Sequence, residues 1–185
     1  MSRSRVLSLL TAVLFVVVLP GMISTPKATA TVSAPSEYRL RFFHTHTGEH
    51  LDVVYRLGDL YVPEALARLD EYLKDWKTGD VFHYDPRVFD LLHDIETQLG
   101  HPGAELDVVC GYRSPWRNES LRRHGHHVAR HSLHMQAMAV DIRIAGVSAS
   151  KVRDAALALH RGGVGYYADS AFVHVDVGRV RRWSN

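Results

Sequence analysis

The sequence predicts an α+β fold, a small antiparallel sheet with helices packed on one side, and three observations carry the prediction. Short runs rich in β-branched and aromatic residues stand near both ends of the chain beyond residue 36. Two segments between them repeat apolar residues at helical steps. The C-terminal runs are joined by tight turns rather than by long crossovers.

The elements follow in order. Tyr38-Arg39-Leu40-Arg41-Phe42-Phe43 and Leu51-Asp52-Val53-Val54-Tyr55 flank His46-Thr47-Gly48-Glu49 and read as a hairpin. Pro63 suits a first helical position, and Leu66, Leu69, Leu73 and Trp76 make one apolar stripe over 63–76. Asp85-Pro86 opens a second helix that continues through Val88, Leu92, Ile95 and Leu99, with Gly100 placed to end it. Residues 106–110 form a strand running into a Gly111-Tyr112-Arg113-Ser114-Pro115 loop. Its Cys110, the only cysteine, is expected to point into the core. A strand over 137–144 follows, then a helix capped by Ser148 or Ser150, carrying Val152, Ala155, Ala156 and Leu159 and ended by Gly162-Gly163. Residues 164–167 and 172–177 are two strands joined by Ala168-Asp169-Ser170-Ala171.

Composition narrows the function. A hydrophobic share of 46% with 23% charged residues excludes a disordered chain, and one cysteine excludes an internal disulfide. The formal +2 charge comes from Arg3, Arg5 and Lys27; the remainder is close to neutral, which gives no reason to bind nucleic acid. Those residues belong to a secretory signal over 1–30: a basic start, an apolar run over 6–19, then Pro20-Gly21 and Ala28-Thr29-Ala30. About 14 residues at roughly 1.5 Å rise fall short of the ~30 Å hydrocarbon core, so no stable membrane insertion is expected after signal removal. A linker over 31–36 and one domain over 37–185 complete the organisation.

Thirteen histidines are many for this length. His124, His126, His127 and His131 lie among Arg122, Arg123 and Arg130 and read as a solvated loop. Two other segments carry chemistry. His134 and Asp141 are seven apart, an odd spacing that lets them converge only if a turn or bend lies between them. In Phe172-Val173-His174-Val175-Asp176-Val177 the alternation places His174 and Asp176 on one face and the valines on the other. If His134, Asp141 and His174 meet, two imidazoles and a carboxylate leave a fourth tetrahedral position for water, as in an open catalytic zinc site. A solvent-facing edge strand with incidental polar residues is the plainer alternative.

Gly111-Tyr112-Arg113-Ser114, the S-x-H-x-x-(G)-x-A-x-D pattern over 132–141 and Val164-Gly165-Tyr166-Tyr167 occur in an order that resembles the zinc peptidases of the D-Ala-D-Ala carboxypeptidase superfamily, as does Phe172-Val173-His174-Val175-Asp176-Val177-Gly178. Within it the YcbK-like (MepK) murein endopeptidases are most similar, from Leu40 through the His46-Thr47-Gly48-Glu49 motif to Trp183. The resemblance implies a hedgehog/D-Ala-D-Ala-peptidase-like fold and one zinc ion on His134, Asp141 and His174. It also implies peptidoglycan stem peptides as substrate and a periplasmic or envelope location. It places Arg113 where a substrate carboxylate or a developing oxyanion is bound. D-Ala carboxypeptidase action and a non-catalytic zinc or peptidoglycan-binding module are the alternatives.

Two positions depart from the family pattern. Ala137 stands where Gly is usual, which is tolerable provided its φ is negative. Ala171 stands where superfamily members place an acidic base, so the base is expected elsewhere: Asp176 first, Asp169 second. Asp176 can also be read as a carboxylate that orients an imidazole or binds Arg113. Ser132 is expected to hold the His134 region by hydrogen bonding, and Tyr166 and Tyr167 are candidates for groove wall or core.

Overall fold

A computed structural model describes residues 34–124 and 128–185. The expected signal at 1–30, residues 31–33 of the expected linker, and His126 and His127 lie outside the described residues. The expected hairpin is formed by β1 (Glu37–His44) and β2 (His50–Leu57), which pair antiparallel, with a two-residue β3 (Leu60–Tyr61) beyond. The first helix, α1 (Pro63–Tyr72), begins at the expected proline but stops four residues short of Trp76. Leu69 and Leu73 reach the core, whereas the Trp76 ring stacks on His46 at 4.2 Å in the following loop. Asp75 ends the helical run. Its buried carboxylate accepts the Lys77 and Ser114 amides and pairs with Arg117 at 3.0 Å, competing locally with helix continuation.

The second helix, α2 (Arg87–Gln98), buries Val88, Leu92 and Ile95 as its spacing requires. Asp85 caps it by accepting the Arg87 amide at 3.0 Å, and Gly100 leaves it at φ 72°. After β4 (Glu105–Cys110) comes a helix that the sequence pattern does not announce, α3 (Pro115–Arg123), started by Ser114 accepting the Arg117 amide. Six of its nine residues are polar and only Asn118 is buried, so no apolar stripe announces it. A single 3₁₀ turn, Leu133–Gln136, leads into β5 (Ala139–Ile144), then α4 (Ala149–Ala158), β6 (Gly163–Tyr167), β7 (Phe172–Asp176) and β8 (Arg181–Ser184). Helix α4 starts at Ser148 and leaves through His160 at φ 51°; Gly162 and Gly163 do not end it.

The α+β class holds, with a sheet larger and more mixed than expected. Eight strands lie in the order β3-β2-β1-β4-β5-β7-β6-β8, and β1 with β4 and β6 with β8 are parallel pairs. Helices α1, α2 and α4 pack against the strands through a core of Leu40, Leu69, Leu92, Val140, Ile142, Val173 and Val175. Among the described residues no helix is long and apolar enough to cross a membrane. The alternation that buries the valines of β5 and β7 aims Asp141, His174 and Asp176 to the other face.

Two alanines hold left-handed backbone. Ala137 has φ 49°, so the negative φ its side chain calls for is not met; it turns the chain between His134 and β5. Ala171, at φ 52°, is exposed at the start of β7. Left-handed φ costs a non-glycine residue roughly 1–2 kcal/mol. Ala171→Gly should therefore stabilise the protein by about 0.5–1 kcal/mol, after roughly 0.4–1 kcal/mol is lost to added unfolded-state freedom. Ala137→Gly should gain nothing, because it also removes a fully buried methyl worth about 0.8 kcal/mol. Urea unfolding checks both; a destabilised Ala171→Gly variant contradicts the account.

Candidate metal centre

The 3₁₀ turn and the two central strands bring together the three residues the sequence singled out. Ser132 accepts the His134 amide at 3.4 Å, the Arg113 amide donates to the His134 carbonyl at 3.1 Å, and Ala137 completes the bend that the seven-residue spacing to Asp141 demands. Asp141 and His174 are register partners on antiparallel β5 and β7. His134 Nε2 lies 3.1 Å from Asp141 Oδ1 and 3.1 Å from His174 Nδ1, and the last two are 2.9 Å apart.

The outer nitrogens decide what the inner ones can do. His134 Nδ1 is 2.8 Å from the Gly111 carbonyl, an acceptor only, so Nδ1 carries a proton. His174 Nε2 is 3.0 Å from Asp176 Oδ2 and donates to it. In the neutral imidazoles, His134 Nε2 and His174 Nδ1 therefore both present lone pairs toward the Asp141 carboxylate. Three acceptors within 3.1 Å repel one another unless a cation stands between them. Tetrahedral ligands at ~2.0–2.1 Å from zinc are about 3.3 Å apart, so the donor set fits such an ion with a few tenths of an ångström of expansion.

Without a metal, a proton takes that place. Burial works against charge on His134, but the Asp141 carboxylate, with Cys110, more than offsets it and pushes the imidazole pKa up to about 10. Burial likewise opposes ionisation of Asp141, yet the His134 charge and the two imidazole hydrogen bonds hold it well below the usual carboxylate range.

Asp176, proposed from sequence as a general base, is placed behind His174. It is fully buried, and its oxygens accept the Gly163 and Gly178 amides, both at 2.9 Å, and two bonds from Arg181 at 3.1 and 2.7 Å. Burial is outweighed by the hydrogen bonds from His174 and Arg181, which hold its pKa far down. That carboxylate has neither exposure nor a free acceptor direction toward a cleft water; its contacts suit orienting His174. Asp169 lies in the exposed turn between β6 and β7 and does not line the cleft.

The cleft over the triad is about 340 Å³, within the range of ligand sites. Asp141 is the one acidic side chain among the described residues lining it, and His131 is an exposed imidazole on its wall. Arg113 is 8% exposed; it donates to Cys110 Sγ at 3.3 Å, makes a long 3.5 Å contact to Asn118, and its guanidinium lies 3.9 Å from Asp141 Oδ2. That long ion pair keeps a buried cation beside the donor atoms, where an incoming anion can compete for it. Tyr167 lines the cleft, while Tyr166 packs against the core.

Cys110 is a buried β4 residue as expected, but it does not share the face of Leu106 and Val108. Strict alternation would set it beside Leu106 and Val108 on the core face, but a register shift between Val108 and Cys110 pairs it with Asp141. The bulge turns Sγ toward the site, within 4.8 Å of the ligand atoms of His134 and Asp141. Arg181 and Trp183, on a strand too short to read, were missed; the signal was the small pair Gly163 and Gly165 on the strand they pair with.

Two imidazoles and a carboxylate converge in a cleft beside a buried guanidinium, a donor set that could hold a metal ion. The chain matches, over residues 32–183, the family described as peptidoglycan L,D-endopeptidase MepK, and it belongs to that family. It is therefore a peptidoglycan hydrolase. It is 43% identical over 154 residues, 83% of each chain, to a probable peptidoglycan L,D-endopeptidase MepK of Haemophilus influenzae. It is 36% identical over 182 residues, 98% of this chain and 97% of the other, to the peptidoglycan L,D-endopeptidase MepK of Escherichia coli K12. No solved structure matches it.

Because His134 is protonated at neutral pH in the metal-free protein, a metal must displace that proton. Metal affinity should therefore rise about tenfold per pH unit up to pH ~10, with one proton released on binding. The same raised pKa means the His134–Asp141 pair stabilises the metal-free fold at low and neutral pH and loses that contribution as pH rises through about 10. Calorimetry in buffers of different ionisation enthalpy counts the proton; zero release contradicts the assignment.

Proposed function

We propose that the protein is an exported zinc-dependent murein endopeptidase that hydrolyses L,D peptide cross-links, with His134, Asp141 and His174 holding one zinc ion. The observation that supports it is the convergence of three acceptors whose outer atoms are already tied to Gly111 and Asp176. When bound, zinc lowers the pKa of its water to about 7 and polarises the scissile carbonyl. The L,D bond follows the names of the relatives. The periplasm or cell envelope, where that substrate lies, follows from the signal at 1–30.

The chain's own residues divide the remaining work. Arg113, on the cleft wall, offers its guanidinium to a substrate carboxylate or to the oxygen on which charge develops. Asp176 fixes the tautomer and direction of His174 and is itself held by Arg181. With Asp176 engaged, His131, the one imidazole outside the triad that lines the cleft among the described residues, is assigned the proton that leaves water and returns to the departing amine.

Metal analysis and mass spectrometry of cross-linked muropeptides test the reading together. One zinc per chain and conversion of dimers to monomers, both lost in His134→Ala, are expected, with fragment masses locating the cut at an L,D bond. Zinc without cleavage would support a binding module, and release of D-Ala from monomers alone would support a carboxypeptidase. In the same assay Asp176→Asn should weaken zinc binding about 10–100-fold with turnover recovered by excess metal. His131→Gln should keep the metal and lower kcat by about 10²-fold or more. A dead Asp176→Asn variant at full zinc occupancy would return the base role to Asp176.

A further inference from the structure

The C-terminal strand is built into the cleft. Trp183 on β8 is the register partner of Gly165 on β6, and a Cβ at Gly165 would stand 2.5 Å from the indole, so the ring rests directly on the glycine backbone. Its Nε1 donates to the Tyr167 hydroxyl at 3.2 Å, and its centroid is 5.1 Å from the His174 ring. The Tyr167 ring in turn stacks on Phe172 at 4.4 Å. One residue pair along, Gly163 leaves room for Arg181 to reach Asp176; any side chain at Gly163 would collide with both. Small residues on β6 thus alternate as seats for Arg181 and Trp183.

Sheet order fixes where this wall lies. Arg113 follows β4, the ligands Asp141 and His174 sit on β5 and β7, and Tyr167 and Trp183 belong to β6 and β8, in the spatial sequence β4-β5-β7-β6-β8. Arg113, the triad, Tyr167 and Trp183 all line one cleft. At ~4.8 Å per strand that cleft crosses about 19 Å, the length of five or six residues of extended peptide. A guanidinium therefore stands on one side of the metal donors and an aromatic wall on the other.

Resting on the endopeptidase reading, we propose that Trp183, braced by Tyr167 and Gly165, is a specificity-determining residue. Its indole packs the aliphatic part of the peptide on the β8 side of the scissile bond, while Arg113 holds a carboxylate on the β4 side. A cross-linked peptide supplies both features at once, whereas a short acidic peptide supplies only the second. Trp183 contributes no atom to the metal, so its loss should act on substrate affinity.

Steady-state kinetics on purified muropeptide dimers should show KM raised about tenfold in Trp183→Ala, with kcat within about threefold and zinc affinity unchanged. Trp183→Phe should recover most of the loss. Gly165→Ala, which displaces the indole without altering it, should reproduce the defect. With Trp76 and Trp116 replaced by Phe, the remaining indole emission should shift on titration with dimers into metal-free protein. Unchanged KM in Trp183→Ala and Gly165→Ala, or an emission that saturating dimer leaves unmoved, would overturn the proposal, as would zinc loss in both Trp183 variants. A wild-type protein that cleaves no dimer would instead overturn the endopeptidase reading, and the emission titration would still report whether Trp183 meets the peptide.

Discussion

Three acceptor atoms held against one another's repulsion are the constraint around which this fold is organised. His134, Asp141 and His174 are each nine-tenths or more buried, and no arrangement of their own protons satisfies all three inner atoms when both imidazoles are neutral. The cost is met by position. Asp141 and His174 are fixed by strand register, and His134 by a turn whose backbone bonds reach Ser132 and Arg113. A cation or a proton completes the site, which links folding, metal binding and pH in one place.

Much of the surrounding structure exists to hold the outer atoms of that triad. The Gly111 carbonyl is presented by the loop after β4, which Asp75 anchors from the other side through the Ser114 amide. Asp176 is presented by β7 and gripped by two amides and Arg181, and Arg181 can reach it only across a glycine. Strain sits in the same region: Ala137 takes left-handed backbone immediately after the turn that carries His134. Local conformational cost beside a preorganised polar cluster is the expected balance at a functional site.

The parts legible in the sequence were those encoded by period. The stripe of α2, the β1–β2 hairpin and the alternation of β7 all follow from apolar spacing, and the alternation correctly put His174 and Asp176 on one face. What was not legible depended on a partner. The β-bulge that turns Cys110 toward Asp141 is a property of the β4–β5 pair and leaves no trace in β4 alone. The early stop of α1 is set by contacts of Asp75 with residues some forty positions away, and α3 has no apolar face to reveal it. The role of Asp176 was open for the same reason, since only Arg181 and the two amides show that its acceptor directions are filled. The eight-stranded breadth of the sheet rests on two parallel pairings, which sequence adjacency does not announce.

X-ray absorption at the zinc edge of the metal-loaded protein tests the central assignment most directly, because it reports donor type without reference to activity. Two imidazoles with oxygen donors at about 2.0–2.1 Å, and no heavier scatterer, are the result the triad predicts. A sulfur at about 2.3 Å would place Cys110 in the coordination shell and contradict the ligand set of His134, Asp141 and His174.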